Sequence, residues 1–124
     1  MSEKEEKVMF ICTHGGDNPE KTALPFVMGS AALAMDIKAL VVLQGDGVYL
    51  AKKGYAEHLV KPGGFEPLPK LMADFLELGG ELKVCVPCIK ARNITEADLI
   101  DKAETTAAGQ LIADSFKANS VFTY

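Results

Sequence analysis

The run Ala39-Leu40-Val41-Val42-Leu43 is apolar at every position and ends at the polar loop Gln44-Gly45-Asp46-Gly47. An apolar run without alternation is typical of a strand in a parallel sheet that is buried on both faces. Lys7 to Cys12 and Leu82 to Val86 are similar short runs, and Ser120 to Tyr124 predicts a last strand. The sequence therefore predicts several buried strands of an α/β protein.

The segments between these strands carry apolar residues at helical spacing. One helix is predicted with Pro19 in its first turn, a second between Pro67 and Gly79, and a short one at the capping-box sequence that begins at Thr95. Residues 100–104 fit either a helix or a short strand. Two helical faces are predicted to point inward: Leu24, Val27, Met28, Ala31 and Met35 in the first helix, and Ala108, Leu111, Ile112 and Ser115 in a helix over 106–117.

Strands that alternate with helices imply a mostly parallel sheet with helices on both faces. No linker, repeat or low-complexity segment interrupts the sequence, so residues 1–124 are predicted to form a single domain. In such a sheet, ligands bind beyond the carboxyl ends of the strands. Residues 12–17, 44–47 and 85–92 follow three predicted strands and are expected to converge at that edge.

The composition argues against several classes of function. A formal net charge of −4 and an aromatic content of 7% do not suit nucleic-acid binding, which needs basic patches and stacking surfaces. No apolar run is long enough to cross a membrane, and Ser2 to Lys7, a predicted frayed lead-in to the first strand, lacks the apolar core of an export signal. Three cysteines do not suit a disulfide framework, so a reducing cytoplasm is expected. No nucleotide-binding glycine motif follows the first strand, and no cofactor is expected.

The chemistry is predicted at Cys85, the first cysteine of a Cys-Val-Pro-Cys motif. Pro87 suits the first turn of a helix, so Cys85 is expected at a strand-to-helix junction, with Cys88 as a second thiol. The free amides and the dipole of that helix, together with Lys90 and Arg92, favour a charged sulfur. The sequence therefore predicts a lowered pKa for Cys85.

Other interpretations of the motif stay open. A free cysteine often only packs, and a Cys-x-x-Cys motif in an α/β protein is also typical of redox chemistry. A structural zinc site needs four ligands, for which the chain adds only Cys12, His14 and His58, so no metal is expected. His14 is a candidate base or neighbouring cation for Cys85 if their strands lie close, and Cys12 is a further candidate for the site.

Residues 42–49, Val-Leu-Gln-Gly-Asp-Gly-Val-Tyr, together with Leu82-Lys83-Val84-Cys85 and Arg92-Asn93, resemble the DsrE/DsrF-like family, which includes the TusD-type sulfur-relay subunits. The resemblance extends over nearly the whole chain, and Cys85 matches the family's sulfur-carrying cysteine. It implies a flavodoxin-like three-layer sandwich with about five strands and no flavin, assembled as a homotrimer or homohexamer. The chain departs from the family at Cys88, where many relay members have a small apolar residue.

The sequence thus predicts a cytoplasmic sulfur carrier or sulfurtransferase in which Cys85 accepts and passes on sulfane sulfur as a persulfide. Its expected partners are sulfur donor and acceptor proteins or small thiols, with no nucleic acid and no membrane. Cys88 is expected to act as a resolving thiol, while Lys90 and Arg92 support the anion. A thiol–disulfide oxidoreductase that uses both cysteines and a non-catalytic oligomeric module whose cysteines only pack remain alternatives.

Overall fold

The computed structural model of the protein describes residues 5–124. Of the predicted frayed lead-in at Ser2 to Lys7, residues 2–4 lie outside the described residues, and Lys7 already belongs to the first strand. Every element below is described within 5–124.

The described residues form five strands in one parallel sheet. The strands are β1 (Lys7–Cys12), β2 (Lys38–Leu43), β3 (Glu81–Cys85), β4 (Ala103–Thr106) and β5 (Ser120–Thr123). Their order across the sheet is β4-β3-β2-β1-β5, so β2 lies in the centre. Residues 39–43 are buried throughout, as the unbroken apolar run predicts. The predicted α/β fold with a mostly parallel sheet is therefore confirmed.

Helices cover both faces of the sheet. They are α1 (Pro19–Ala34), α2 (Leu68–Glu77), α3 (Val86–Ala91) and α4 (Ala108–Lys117), with short 3-10 segments at Gly45–Ala51, Ala56–His58 and Glu96–Asp98. The larger core lies under α1 and α2 and includes Phe10, Val41 and Leu82. The smaller core, formed by Met9, Leu40 and Val42 with Leu111 of α4 against it, lies on the opposite face. The sheet and the helices on its two faces form three layers, and the carboxyl ends of the parallel strands all lie at one edge of the sheet.

The predicted inward face of α1 is wrong. Met28 and Met35 are 37% and 70% exposed, whereas the buried residues are Thr22, Ala23, Pro25, Phe26, Gly29 and Ala32. Packing against α2 explains the rotation, because the Phe75 ring lies edge-on to Phe26 and fills the space beside Gly29, where an added Cβ would lie 2.6 Å from the ring. Almost every face of α1 is apolar, so its periodicity alone does not choose between them.

The predicted inward face of α4 is correct only in part. Leu111 packs on the smaller core, but Ala108 is exposed and Ile112 is 59% exposed. The buried residue of this helix is Asp114, whose carboxylate lies 2.8 Å from Nζ of Lys83 on β3. A partly buried ion pair, rather than apolar periodicity, therefore sets the rotation of α4.

The ambiguous segment at 100–104 leads into a strand. Residues 103–106 form the edge strand β4, paired in parallel with β3. The capping box predicted at Thr95 is present, since the Thr95 amide and hydroxyl both donate to Asp98 Oδ2. That box opens a single 3-10 turn rather than an α-helix.

Candidate functional site

Cys85 is the last residue of β3, and Val86 begins the six-residue helix α3. Pro87 occupies the first turn, where the missing N–H leaves no intrahelical bond unmade. The predicted strand-to-helix junction is confirmed. Both thiols of the Cys-x-x-Cys motif are free and partly exposed at the carboxyl edge of the sheet.

The loop after β2 reaches Cys88. Gly45 donates its backbone N–H to Cys88 Sγ over 3.3 Å, and its φ of +53° is a conformation that favours glycine. The loop after the central strand therefore contacts the second cysteine directly.

Arg92 is fixed beside the two cysteines by contacts on several sides. Its Nε and Nη2 donate to Asp46 Oδ1 at 3.1 and 3.0 Å, and its Nη1 donates to the carbonyl oxygen of Cys88 at 3.1 Å. The guanidinium carbon also lies 5.9 Å from the centre of the Tyr49 ring, within range of a cation–π contact. The guanidinium is thereby held in one place, which reduces the entropy it would lose on meeting an anion.

An aromatic pair extends this arrangement towards β1. Tyr49 stacks on Tyr55 with ring centres 5.3 Å apart, and the Tyr55 hydroxyl accepts a hydrogen bond from the Gly16 amide over 2.9 Å. The loops after β1, β2 and β3 are thus connected by direct contacts, as expected for the carboxyl edge of a parallel sheet.

The prediction of a lowered pKa for Cys85 is wrong. Burial raises the pKa of Cys85, and the neighbouring Cys88 side chain raises it further. The backbone amide of Cys88 and the charge of Arg92 act in the opposite direction but do not outweigh these effects. The helix that follows is only six residues long, so its dipole is too small to reverse this balance.

Cys12 and His14 lie on the far side of β2 from Cys85, because β2 separates β1 from β3. The Cys12 thiol is fully buried and contacts the carbonyl oxygens of His14 and Lys21, at 3.5 and 3.6 Å. Burial raises the pKa of Cys12 to about 11, which makes it a poor nucleophile. His14 Nδ1 lies 2.7 Å from Asp17 Oδ2, so its ring is engaged within its own loop.

Lys90 lies on the exposed surface of α3. The cationic influence on the pKa of Cys85 comes from Arg92. Arg92 is the cation that the structure brings to the cysteines, while Lys90 faces solvent.

Three residues of the site had no role assigned from the sequence. Gly45 and Asp46 lie in the loop predicted to reach this edge, but a glycine and a surface carboxylate carry no chemical signature of their own. Tyr49 follows in the same segment and supports Arg92 through its ring. The sequence feature that could have identified these residues is the predicted convergence of the strand ends at one edge of the sheet, because that convergence places this loop beside the cysteines.

The described residues contain no cluster of three or more cysteine, histidine or acidic side chains able to hold a metal ion. Within the same residues, no helix is long and apolar enough to cross a bilayer.

The fold and this edge define a class of protein: a small parallel α/β domain that presents two free cysteines and a fixed arginine beyond its strands. The DsrE/DsrF-like family model matches residues 6–124, and the chain belongs to that family. Over 103 residues it is 35% identical to the uncharacterized protein MJ0989 of Methanocaldococcus jannaschii, covering 83% of this chain and 84% of that protein.

Solved structures share the fold. The ychN protein from E. coli matches with a TM-score of 0.79 at 19% identity, over 96% of this chain and 99% of that one. MTH1491 from Methanobacterium thermoautotrophicum, described as a protein of unknown function, matches with a TM-score of 0.69 at 13% identity, over 97% and 99% of the two chains. These similarities show the architecture.

Proposed function

We propose that the protein is a sulfur carrier of the TusD-type relay class, in which Cys85 accepts sulfane sulfur as a persulfide and passes it to an acceptor thiol. The observation that carries this proposal is a partly exposed cysteine pair beside Arg92, which bonds the backbone carbonyl of Cys88 and is itself fixed by Asp46 and Tyr49. A persulfide anion is a larger and softer thiolate, and the positive charge of Arg92, which acts on Cys85, supports that anion.

Loading of sulfur follows from thiol chemistry. The Cys85 thiolate attacks the outer sulfur of a donor persulfide, the donor's S–S bond breaks, and the donor leaves as a thiolate. An acceptor thiolate later attacks the outer sulfur on Cys85 and restores the Cys85 thiolate. Because the pKa of Cys85 is raised, a proton must leave its thiol before attack.

Cys88 is suited to act as a resolving thiol. Its sulfur accepts a hydrogen bond from the Gly45 amide at 3.3 Å, which holds the second cysteine against the loop that follows β2. Attack of the Cys88 sulfur, as a thiolate, on the inner sulfur of the Cys85 persulfide would form a Cys85–Cys88 disulfide and release hydrosulfide. The same geometry supports a second candidate function, a thiol–disulfide oxidoreductase that cycles this disulfide.

The proposal is tested by intact-mass spectrometry and peptide mapping after incubation with a small-molecule persulfide. We expect the mass of one sulfur atom to be added at Cys85, no addition in Cys85→Ser, and continued loading in Cys88→Ser with slower release. The conservative Cys12→Ser variant is a matched control, because that buried thiol should not carry sulfur. Equal loss of loading in the Cys85 and Cys88 variants, with an internal disulfide in the oxidised wild type, would favour the oxidoreductase.

We also propose that the chain forms a homotrimer or homohexamer in the cytoplasm. Large apolar side chains are exposed on α4 and β5, with Phe116 86%, Ile112 59% and Val121 46% exposed. Apolar groups gathered in this way are typical of interfaces. Light scattering at micromolar concentration should give a multiple of the chain mass, Phe116→Asp should lower it, and a monomer mass for the wild type would contradict the proposal.

A further inference from the structure

Thr106 lies directly beside Cys85 at the carboxyl edge of the sheet. The two residues are register partners at the ends of β3 and β4. Neighbouring strands are about 4.8 Å apart, and register partners in a parallel pair point to the same face. The Thr106 side chain therefore stands on the same side of the edge as the proposed sulfur-carrying thiol.

The hydroxyl of Thr106 is buried and unpaired. Thr106 is 6% exposed, and within residues 5–124 its Oγ1 has no hydrogen-bond partner. Buried polar atoms in native proteins nearly always have a partner, so an unpaired donor beside a reactive thiol requires an explanation. A group that forms at the thiol during the reaction would supply that partner.

The start of α4 adds a second favourable feature. This ten-residue helix begins at Ala108, two residues after Thr106, and no side chain among the described residues caps it. The first amides of a helix have no acceptor within the helix, and together with the dipole they favour a nearby anion. The Thr106 hydroxyl and the first amides of α4 therefore lie within a few residues of each other, at the end of β4 and directly after it.

We propose that Thr106 binds the reacting sulfur: its hydroxyl donates a hydrogen bond to the outer sulfur of the Cys85 persulfide, and the uncapped start of α4 favours the charge on that sulfur. This inference rests on the proposed function. The outer sulfur extends the Cys85 side chain by one S–S bond of about 2 Å, which carries the charge beyond the Cys85 sulfur itself. Loading forms that bond while the donor's S–S bond breaks, and Thr106 keeps its proton and oxidation state throughout.

The hydrogen bond from Thr106 forms in the sulfur-loaded protein and not with the free Cys85 thiol. The described structure holds no hydrogen bond between Thr106 Oγ1 and Cys85 Sγ. Thr106 should therefore leave the acidity of the free Cys85 thiol unchanged and increase the acidity of its persulfide. A purely structural threonine would affect neither.

The test compares Thr106→Val, which keeps the shape but removes the hydroxyl, with Thr106→Ser, which keeps the hydroxyl. Each protein is loaded with a small-molecule persulfide, and alkylation of Cys85 is followed by mass spectrometry as a function of pH, before and after loading. In Thr106→Val we expect the acid dissociation constant of the persulfide to fall about tenfold, the usual effect of losing a hydrogen bond to a charged group. Thr106→Ser should match the wild type, and the profile of the unloaded thiol should match in all three.

Two results would overturn the inference. If wild-type Cys85 gains no sulfur, the proposed function fails and the role of Thr106 fails with it. If wild type and Thr106→Val load equally and their persulfides titrate together, the role of Thr106 alone is wrong. Thr106→Ala also removes the hydroxyl and gives the same comparison if the valine variant does not fold.

Discussion

The ion pair between Lys83 and Asp114 provides a sharp test of how α4 is held on the sheet. Nζ of Lys83 lies 2.8 Å from Asp114 Oδ2, and the side chains are only 14% and 6% exposed. Lys83→Met would leave the carboxylate buried with Gln110 Nε2, at 2.9 Å, as its remaining side-chain partner. Removal of one partner from a buried pair costs about 3–5 kcal/mol, and the retained amide favours the lower value.

A loss of about 3 kcal/mol is a large part of the 5–15 kcal/mol typical of a domain's free energy of unfolding. With a urea dependence of about 2 kcal/mol per molar, the unfolding midpoint measured by circular dichroism should fall by about 1.5 M. Lys70→Met is the matched control, because Lys70 and Asp74 lie 3.0 Å apart but are 57% and 47% exposed. Its unfolding midpoint should stay close to that of the wild type, since solvent screens exposed pairs.

The pH dependence of the stability difference between wild type and Lys83→Met gives an independent check of the ion pair. Burial would raise the pKa of Asp114, but the hydrogen bonds from Lys83 and Gln110 outweigh it and hold this pKa below its usual 3.8. A group with a depressed pKa stabilises the fold above its usual pKa, and that contribution disappears as the pH falls through the folded value. The difference between wild type and Lys83→Met should therefore shrink on acidification. A Lys83 variant no less stable than the Lys70 variant at pH 7 would refute the reasoning.

Three further predictions concern the site and its loops. Cys85 should be alkylated more slowly at neutral pH than a free model thiol, because burial raises its pKa; an equal or faster rate would contradict this. Arg92→Gln should shift the pH midpoint of that alkylation upward, since the guanidinium lowers the pKa of Cys85, and an unchanged midpoint would show that the two are not coupled. Gly47→Ala should lower the free energy of unfolding by about 1–3 kcal/mol in urea titrations, because its Cβ would overlap the Cys12 carbonyl oxygen. Gly109→Ala is the control: apart from its chain neighbours and the backbone of its own helix, no heavy atom of the described residues lies within 4 Å of its added Cβ. A larger loss there than at Gly47 would count against the packing argument.

Features that depend on a short stretch of chain could be predicted from the sequence. The buried run at 39–43 specified a central strand, and Pro87 placed Cys85 at a strand-to-helix junction, because backbone preferences and burial on both faces are encoded locally. The rotation of α1 and α4 could not be predicted in this way. It depends on the Phe75 ring of a neighbouring helix and on Lys83 of a neighbouring strand.

The sequence by itself determined a parallel α/β fold with a cysteine pair beyond its strands. Tertiary structure alone decided the electrostatics of that pair: burial raises the pKa of Cys85, and Asp46 fixes Arg92 from a distant loop. It also placed the unpaired hydroxyl of Thr106 next to Cys85, because β3 and β4 pair in parallel and these two residues are register partners. The physical reason is that strand and helix propensities act over a few residues, whereas the proton affinity of a sulfur depends on every group packed within a few ångströms of it.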